Sequence, residues 1–537
     1  MARHRVPFWP SPVRSLASRK FRLMQPLLGV ALLLAFALAG CGGASGNGQA
    51  SGPKTGGTLN VGLDSDVVTL DPLKSSALVD REVMLNMYDT LVTSDAQNKI
   101  QPDLATSWAS PSPTQIVFTL RSGVQFQDGT PFNAAAVVTN INRILNTPSS
   151  PRSSELSTVA SVQAVDDMHV QFTLKKPFAP LLANLSDRAG MMLSPAVIQA
   201  QGDQLANNPV KAGTGPFEFV SWVKGDHLTL QRNPHYWQKD SNGHALPYLD
   251  KINYRPITNE SVMYTNLQTS NINVAQDISP IDIQNAKQNA SLVYKQNPGL
   301  SFYGMELNTK VAPFDNVHVR RAVEWAVDRQ EILTTALHGV GVESQGPIPP
   351  SSWAYDSSFK PYTHDIDKAK AELSQAGMSS GVSFTLLISS GSPLLQQQAQ
   401  LLQSELQPAG ITVNIKQETF ATLLDDTSSH HFQAALLGWS GRVDPDGNMY
   451  GWFHTGGGFN DTQYSNTQVD AFLDDARSSS DQSKRTSDYQ QAEKLILDDA
   501  PYVFLYHGVA TQISTKSVQN FQLLPTTIMV FTRTYLS

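Results

Sequence analysis

The sequence predicts an α/β protein of several lobes, and three observations carry that class. The first is a βαβ unit, with an apolar strand from Val382 to Ile388, a helix from Pro393 to Gln407 and a second strand from Ile411 to Lys416. Strands joined through a helix lie parallel, with a right-handed crossover. Gly410 stands where the helix ends and a left-handed residue is wanted. The second observation is Leu59, Val61 and Leu63 alternating with polar residues or glycine, the period of a half-buried strand. The third is length. Of 537 residues, 497 follow Gly40, and at roughly 150 residues per domain they make about three lobes.

The amino terminus is read as a targeting segment. Arg3, Arg5, Arg14, Arg19, Lys20 and Arg22 form a basic leader, and no acidic residue occurs before Asp64. An apolar run from Leu27 to Leu38 follows, ending in Leu38-Ala39-Gly40-Cys41. Basic, apolar and small segments in that order are a secretory signal. The run is short of the roughly 20 apolar residues of a membrane span. The last four residues resemble a bacterial lipobox, which predicts a signal peptide over 1–40 and lipidation of Cys41. Two or three acyl chains there give firm anchoring, because each buried methylene contributes about 0.8 kcal/mol. The Gly/Ser-rich residues 41–55 then read as a flexible tether.

Further along, Asp80 is expected to open a helix with Val83, Met87 and Leu91 on one side. Gln115 to Leu120 reads as a strand, and Asn133 caps a helix from Ala134 to Leu145. Hairpins are expected over Val162 to Leu174 and over 217–232, the latter with Lys224-Gly225-Asp226 at its tip. His431 to Trp439 supplies another apolar strand. Cys41 is the only cysteine, so no internal disulfide forms. The leader holds six of 39 basic residues and none of 46 acidic ones. The remaining chain is therefore clearly acidic, a poor partner for nucleic acid.

Several short stretches recur in one known family. They are Thr69-Leu70-Asp71-Pro72, Pro102-Asp103-Leu104-Ala105, Phe126-Gln127-Asp128-Gly129-Thr130-Pro131, Gly213-Thr214-Gly215-Pro216-Phe217, Arg232-Asn233-Pro234-His235-Tyr236-Trp237, Pro313-Phe314-Asp315 and Gly438-Trp439 with Asp444-Pro445-Asp446. In this order, over residues 58–510, the chain resembles bacterial extracellular solute-binding proteins of family 5, the peptide/nickel class serving ABC importers. That resemblance implies a periplasmic-binding-protein-like (type II) two-lobed clamp with an additional third domain. Lobe I would comprise 56–96, 210–303 and 509–537, the additional domain 97–209, and lobe II 304–508. A hinge is expected near Leu300–Met305 and Val503–Gly508, with solute buried by closure. The turn-forming motifs themselves are scaffold.

Ligand contact is expected first from Trp439, Ser440, Gly441, Arg442 and Asp444, because a loop following a buried strand opens at the strand's carboxyl end. In peptide-binding relatives this loop commonly carries an aspartate for the ligand's α-amino group. Here Arg442 takes that place, and a guanidinium favours carboxylate or phosphate. Arg442 therefore meets an anionic or hydroxyl-rich part of the solute, stays a surface arginine, or pairs internally with Asp444 or Asp446. Trp439 either stacks on ligand or closes the core. Tyr303, Met305 and Asn308 beyond the hinge, Asp66 and Val67 after the first strand, and Trp353 complete the candidates.

No metal, cofactor or catalytic group is predicted. His430-His431 is an adjacent pair of poor geometry for one ion, and no HExxH, P-loop or GxSxG pattern lies in the folded region. The function expected is non-enzymatic. A monomeric, extracytoplasmic, lipid-anchored protein captures a peptide-like or other polar or anionic solute and delivers it to permease subunits. The alternatives are a surface-anchored hydrolase and a ligand sensor.

Overall fold

The computed structural model describes residues 53–537, so the basic leader, the apolar run and Cys41 lie outside the described residues. Three sheets organise the chain. The first has seven strands in the order Leu292–Pro298, Val509–Thr515, Val274–Ala275, Thr58–Leu63, Lys251–Pro256, His227–Arg232 and Phe217–Val223. Its central strand, Thr58–Leu63, runs parallel to both neighbours, with Val61 level with Tyr254 and Val274. Leu59, Val61 and Leu63 are buried, as their alternation requires.

The second sheet has six strands, in the order Val342–Glu343, Tyr502–His507, Phe302–Leu307, Ala434–Trp439, Val382–Ser389 and Ile411–Glu418. The βαβ unit is present, with Val382–Ser389 parallel to Ile411–Glu418 and the helix Pro393–Leu406 between them. Ser392 caps that helix through Leu395 N–H, and Gly410 takes φ +89°. A third sheet, of Ala105–Ser112, Gln115–Leu120, His169–Leu174 and Val159–Ala164, carries the helix Ala134–Leu145. Its cap is Asn133, whose side chain accepts from Ala136 N–H at 3.1 Å.

Two expected elements differ in detail. The helix near Asp80 spans only Leu78–Met84, so Met87 and Leu91 lie in the turn and segment after it, still buried. Asp80 does not cap that helix. Its carboxylate accepts from Val68 N–H, Thr69 N–H and the Ser75 hydroxyl, fixing the preceding loop. The strand expected from His431 begins at Ala434, because His430 adopts φ +62° and turns the chain first.

The chain passes from the first sheet to the second at 299–301 and returns at Gly508. These crossings lie side by side. A Cβ on Gly299 would stand 2.7 Å from the Gly508 carbonyl oxygen, and one on Gly508 2.6 Å from Ser301 Oγ. His507 ties them together, its Nδ1 donating to Ser301 O at 3.1 Å and its Nε2 lying 2.8 Å from Ser344 Oγ.

Candidate functional site

The loop after Ala434–Trp439 sits beside these crossings. Gly441 takes φ +80°, and a Cβ there would meet the Leu300 carbonyl oxygen at 2.2 Å, so only glycine admits this approach. Trp439 is buried against Trp452 and Phe459, with centroid distances of 5.4 and 4.8 Å. Its indole N–H donates to Gly447 O and Asn448 Oδ1, each at 3.1 Å. The ring thus closes the core beneath the loop, and Arg442 lies over its face at 4.1 Å.

Arg442 pairs with neither Asp444 nor Asp446. Arg485 takes Asp444 at 2.6 Å, and Arg477 grips Asp446 with Nε and Nη2 at 3.0 and 2.8 Å. Arg442 instead donates through Nη1 to Gly441 O at 2.8 Å and places Nε 3.1 Å from Asp187 Oδ2. Asp187 belongs to the segment that carries the third sheet. Its Oδ1 accepts from Arg188 N–H at 2.6 Å, and its Oδ2 lies 2.6 Å from Arg81 Nη2.

Four guanidinium groups therefore gather around Asp187. Arg81, Arg152, Arg188 and Arg442 are 4%, 0%, 1% and 8% exposed. Arg152 stands 2.7 Å from Glu155 and lies over the Phe459 ring at 5.2 Å. Arg188 Nη1 donates to Ser75 Oγ and Ala77 O. Burial alone would raise the Asp187 carboxyl, but Arg442, Arg81 and Arg188 overcome it and hold the group well below the usual carboxylate range. Burial, with Arg442 and Arg152 nearby, lowers Arg81 to about 10 despite Asp187, which leaves it cationic at neutral pH. A cavity of about 20 Å³ lies against Glu155, Asn184, Asp187, Arg442 and Arg477. Across the loop, a larger cavity of about 470 Å³ is lined by Asn98, Ile100, Leu182, Trp353, Val443 and Asp444.

A second polar stretch lies at the carboxyl ends of the parallel strands of the first sheet. Asp64 follows Thr58–Leu63, Asp277 follows Val274–Ala275, and Glu260 opens the helix Glu260–Gln268. The Glu260 carboxylate accepts from the Ser392 hydroxyl, at the start of a helix on the second sheet. Tyr303 and Tyr506 stack at 4.9 Å near Asp277. The Glu260–Ser392 and Arg442–Asp187 contacts thus each join segments of different sheets.

The expected residues fall into two groups. Trp439, Ser440, Gly441, Arg442 and Asp444 share one loop, and Tyr303 lies against Gly438 on the neighbouring strand. Met305 and Asn308 are fully buried; Met305 packs in the core of the second sheet, and Asn308 donates to His430 O and Phe432 O. Val67 is buried in the core of the first sheet. Asp66 accepts from Gly225 N–H at 2.6 Å, pinning the tip of the 217–232 hairpin. Trp353 reaches the larger cavity. Sequence reasoning missed Asp187, Arg81, Arg152 and Arg188. Among the described residues, no cluster of His, Asp or Glu is placed to hold a metal ion.

The sequence pattern of bacterial extracellular solute-binding proteins, family 5, matches residues 99–460. The chain belongs to that family. It is 33% identical over 489 residues to the probable D,D-dipeptide-binding periplasmic protein DdpA of Escherichia coli K12, covering 88% of this chain and 93% of the relative. To the glutathione-binding protein GsiB of the same strain it is 30% identical, covering 87% and 92%. The structure of DppA from Helicobacter pylori in complex with the peptide STSA superposes with a TM-score of 0.83 at 28% identity, covering 90% of this chain and 98% of that one. AgaA in complex with agropinic acid, from A. tumefaciens R10, gives 0.83 at 26% identity, covering 90% and 99%. The fold is therefore the two-lobed clamp of the periplasmic binding proteins with an additional domain. The role is that of an extracytoplasmic solute-binding protein of an ABC importer.

Proposed function

We propose that this family 5 protein captures a peptide-like or other carboxylate-bearing solute between the two large sheets and hands it unchanged to its permease. The observation that carries this reading is the pair of adjacent crossings at 299–301 and 508, the narrow join between the two large sheets, with Glu260–Ser392 linking segments of those two sheets and Arg442–Asp187 linking the second to the segment that carries the third. Two bodies joined at one narrow edge close by hinge motion. Lobe I then corresponds to 56–96, 210–303 and 509–537, lobe II to 304–508, and the additional domain to 97–209. Relatives named for a D,D-dipeptide and for glutathione support a small peptide-like solute. The larger cavity, about 470 Å³, is lined from residues 97–183 and 351–444, beside the loop that follows Trp439, and its volume falls within the roughly 300–1,000 Å³ usual for small-ligand sites.

The hydrolase alternative has one feature to weigh, the Ser344–His507 pair at 2.8 Å. Both residues are buried, and the third member is the Ser301 carbonyl rather than a carboxylate. A nucleophile needs access to substrate and a base oriented for proton transfer, so this pair serves the crossing. Binding without chemistry is tested by incubating the purified protein with a mixed dipeptide and tripeptide pool. Bound peptide recovered intact supports the reading, whereas time-dependent cleavage contradicts it. The protein acts as a monomer held at the membrane through lipidated Cys41. Labelled palmitate should enter the wild-type chain in its host and be absent from Cys41→Ser; equal labelling of both would dismiss the anchor.

A further inference from the structure

Glu260 and Ser392 meet across the two large sheets at a place set apart from the crossings. Glu260 follows the strand Lys251–Pro256, and Ser392 follows Val382–Ser389. Val274–Ala275 and Thr58–Leu63 stand between Lys251–Pro256 and the crossing strand Val509–Thr515. In the other sheet, Ala434–Trp439 stands between Val382–Ser389 and the crossing strand Phe302–Leu307. At about 4.8 Å per strand, the contact is offset from the crossings by roughly 14 Å in one sheet and 10 Å in the other. The two chains press together there. Gly391 takes φ +93°, and a Cβ on it would stand 2.5 Å from Thr258 Oγ1.

The first turn of the helix Pro393–Leu406 is completed from outside its own sheet. Pro393 has no N–H, Leu395 N–H reaches Ser392 Oγ at 3.2 Å, and Gln396 N–H reaches Ser392 O at 3.2 Å. Leu394 N–H instead turns toward the Glu260 carboxylate, which also accepts from the Ser392 hydroxyl. Glu260 itself opens the helix Glu260–Gln268, capped by Asn259 through Val262 N–H at 3.0 Å, and its own N–H faces the same carboxylate. One carboxylate thus serves the opening turns of two helices, one from each sheet, where N–H groups lack intrahelical partners. Burial, with Asp64 adding to it, raises the Glu260 carboxyl, against the Ser392 hydroxyl and the N–H groups of Glu260 and Leu394. The hydrogen bonds, rather than the charge, are therefore what favours the contact.

We infer that Glu260 is a solute-independent latch between the lobes, its carboxyl group completing the first turn of a helix on the opposite lobe and holding the clamp shut. This rests on the hinge reading above and goes beyond it, because part of the closing free energy comes from the chain itself. Opening about the crossings pulls so distant a contact apart and leaves Leu394 N–H and the Ser392 hydroxyl to water. One hydrogen bond of ordinary net strength shifts such an equilibrium about fivefold. Glu260 is a positioning residue. It sets how often the empty clamp is closed, and a larger closed fraction tightens the apparent binding of any solute that needs that form.

The test uses the whole protein, stripped of solute by dialysis from denaturant and refolded, as wild type, Glu260→Ala and Glu260→Gln. In small-angle X-ray scattering, Glu260→Ala should show a larger radius of gyration than wild type. Glu260→Gln, whose amide oxygen still accepts from Ser392 and Leu394, should match wild type. Amide hydrogen exchange over 390–396 should run about fivefold faster in Glu260→Ala and at the wild-type rate in Glu260→Gln. Exchange over 134–145 should be the same in all three, whereas a general loss of stability would move both segments. Equal radii of gyration for wild type and Glu260→Ala overturn the latch, whatever the exchange rates. A Glu260→Gln protein as expanded as Glu260→Ala overturns it as well. Ser392→Gly reaches the contact from the other lobe at little cost to the helix cap, and serves if Glu260→Ala does not fold. It should also expand the protein, and wild-type scattering from it counts against the latch. The solute reading fails separately. If the dipeptide and tripeptide pool does not bind wild type while the variants scatter as expected, the latch stands and the peptide-like reading falls.

Discussion

Asp187 is the residue on which the charge cluster turns. Replacing it by asparagine removes the one carboxylate shared by Arg81, Arg188 and Arg442, and breaking a buried ion pair typically costs about 3–5 kcal/mol. Asp187→Asn should therefore unfold at markedly lower denaturant, with a loss near the bottom of that range; an unchanged midpoint would show that the cluster does not depend on it. Two other buried groups set pH dependences of opposite origin. His507 is lowered to about 4 by burial, against the opposing Ser301 carbonyl. Between pH 6.5 and 4 the unfolded chain binds this proton and the folded one does not, so stability falls as pH drops through that window, by up to ~3 kcal/mol. His507→Gln should flatten that part of a pH–stability curve. Glu405 is raised to about 8, chiefly by burial and against the Asp328 N–H bond. Its contribution is full below about 4.5 and is lost as pH rises through 8, so Glu405→Gln should gain on the wild type over that range. None of these environments is legible in the sequence. Arg442 is recognisable from its place in the loop, but Asp187 lies far away along the chain, and single-chain pattern carries no information on such a pairing.

Elements with local causes are legible. The βαβ unit, the 217–232 hairpin and the helix capped by Asn133 each follow from periodicity and turn chemistry within one continuous stretch of chain. Asn133→Ala should cost about 1 kcal/mol in a chemical denaturation series, the usual worth of such a cap. The helix at Leu78–Met84 is shorter than the spacing of Val83, Met87 and Leu91 suggests, because Asp80 serves the preceding loop and tertiary burial, not helix, accounts for Met87 and Leu91. The paired glycines of the crossings show what a strand pattern cannot convey. Gly299 and Gly508 are glycine because each faces the other crossing, at 2.7 and 2.6 Å from where a Cβ would sit. Gly508→Ala should destabilise by about 1–3 kcal/mol through overpacking against Ser301 and Tyr303 and should slow closure as well. Unaltered stability and an unaltered rate of solute-induced fluorescence change would argue that the crossing tolerates the methyl group.

Over the whole molecule, the first sheet is assembled from 58–63, 217–298 and 509–515. No periodicity announces that these belong together; only the succession of family motifs implies it. The same dispersal hides the arginine cluster around Asp187, which draws on four separate stretches of chain around residues 81, 152, 188 and 442. At this scale the central claim is a clamp that closes on a carboxylate-bearing solute without altering it. Native mass spectrometry of the gently purified protein, followed by denaturation to release what it carries, tests that most directly. The expected result is a one-to-one adduct whose released molecule bears a free carboxylate and rebinds unchanged. A tightly held solute with no anionic group, or one returned chemically altered, would contradict it.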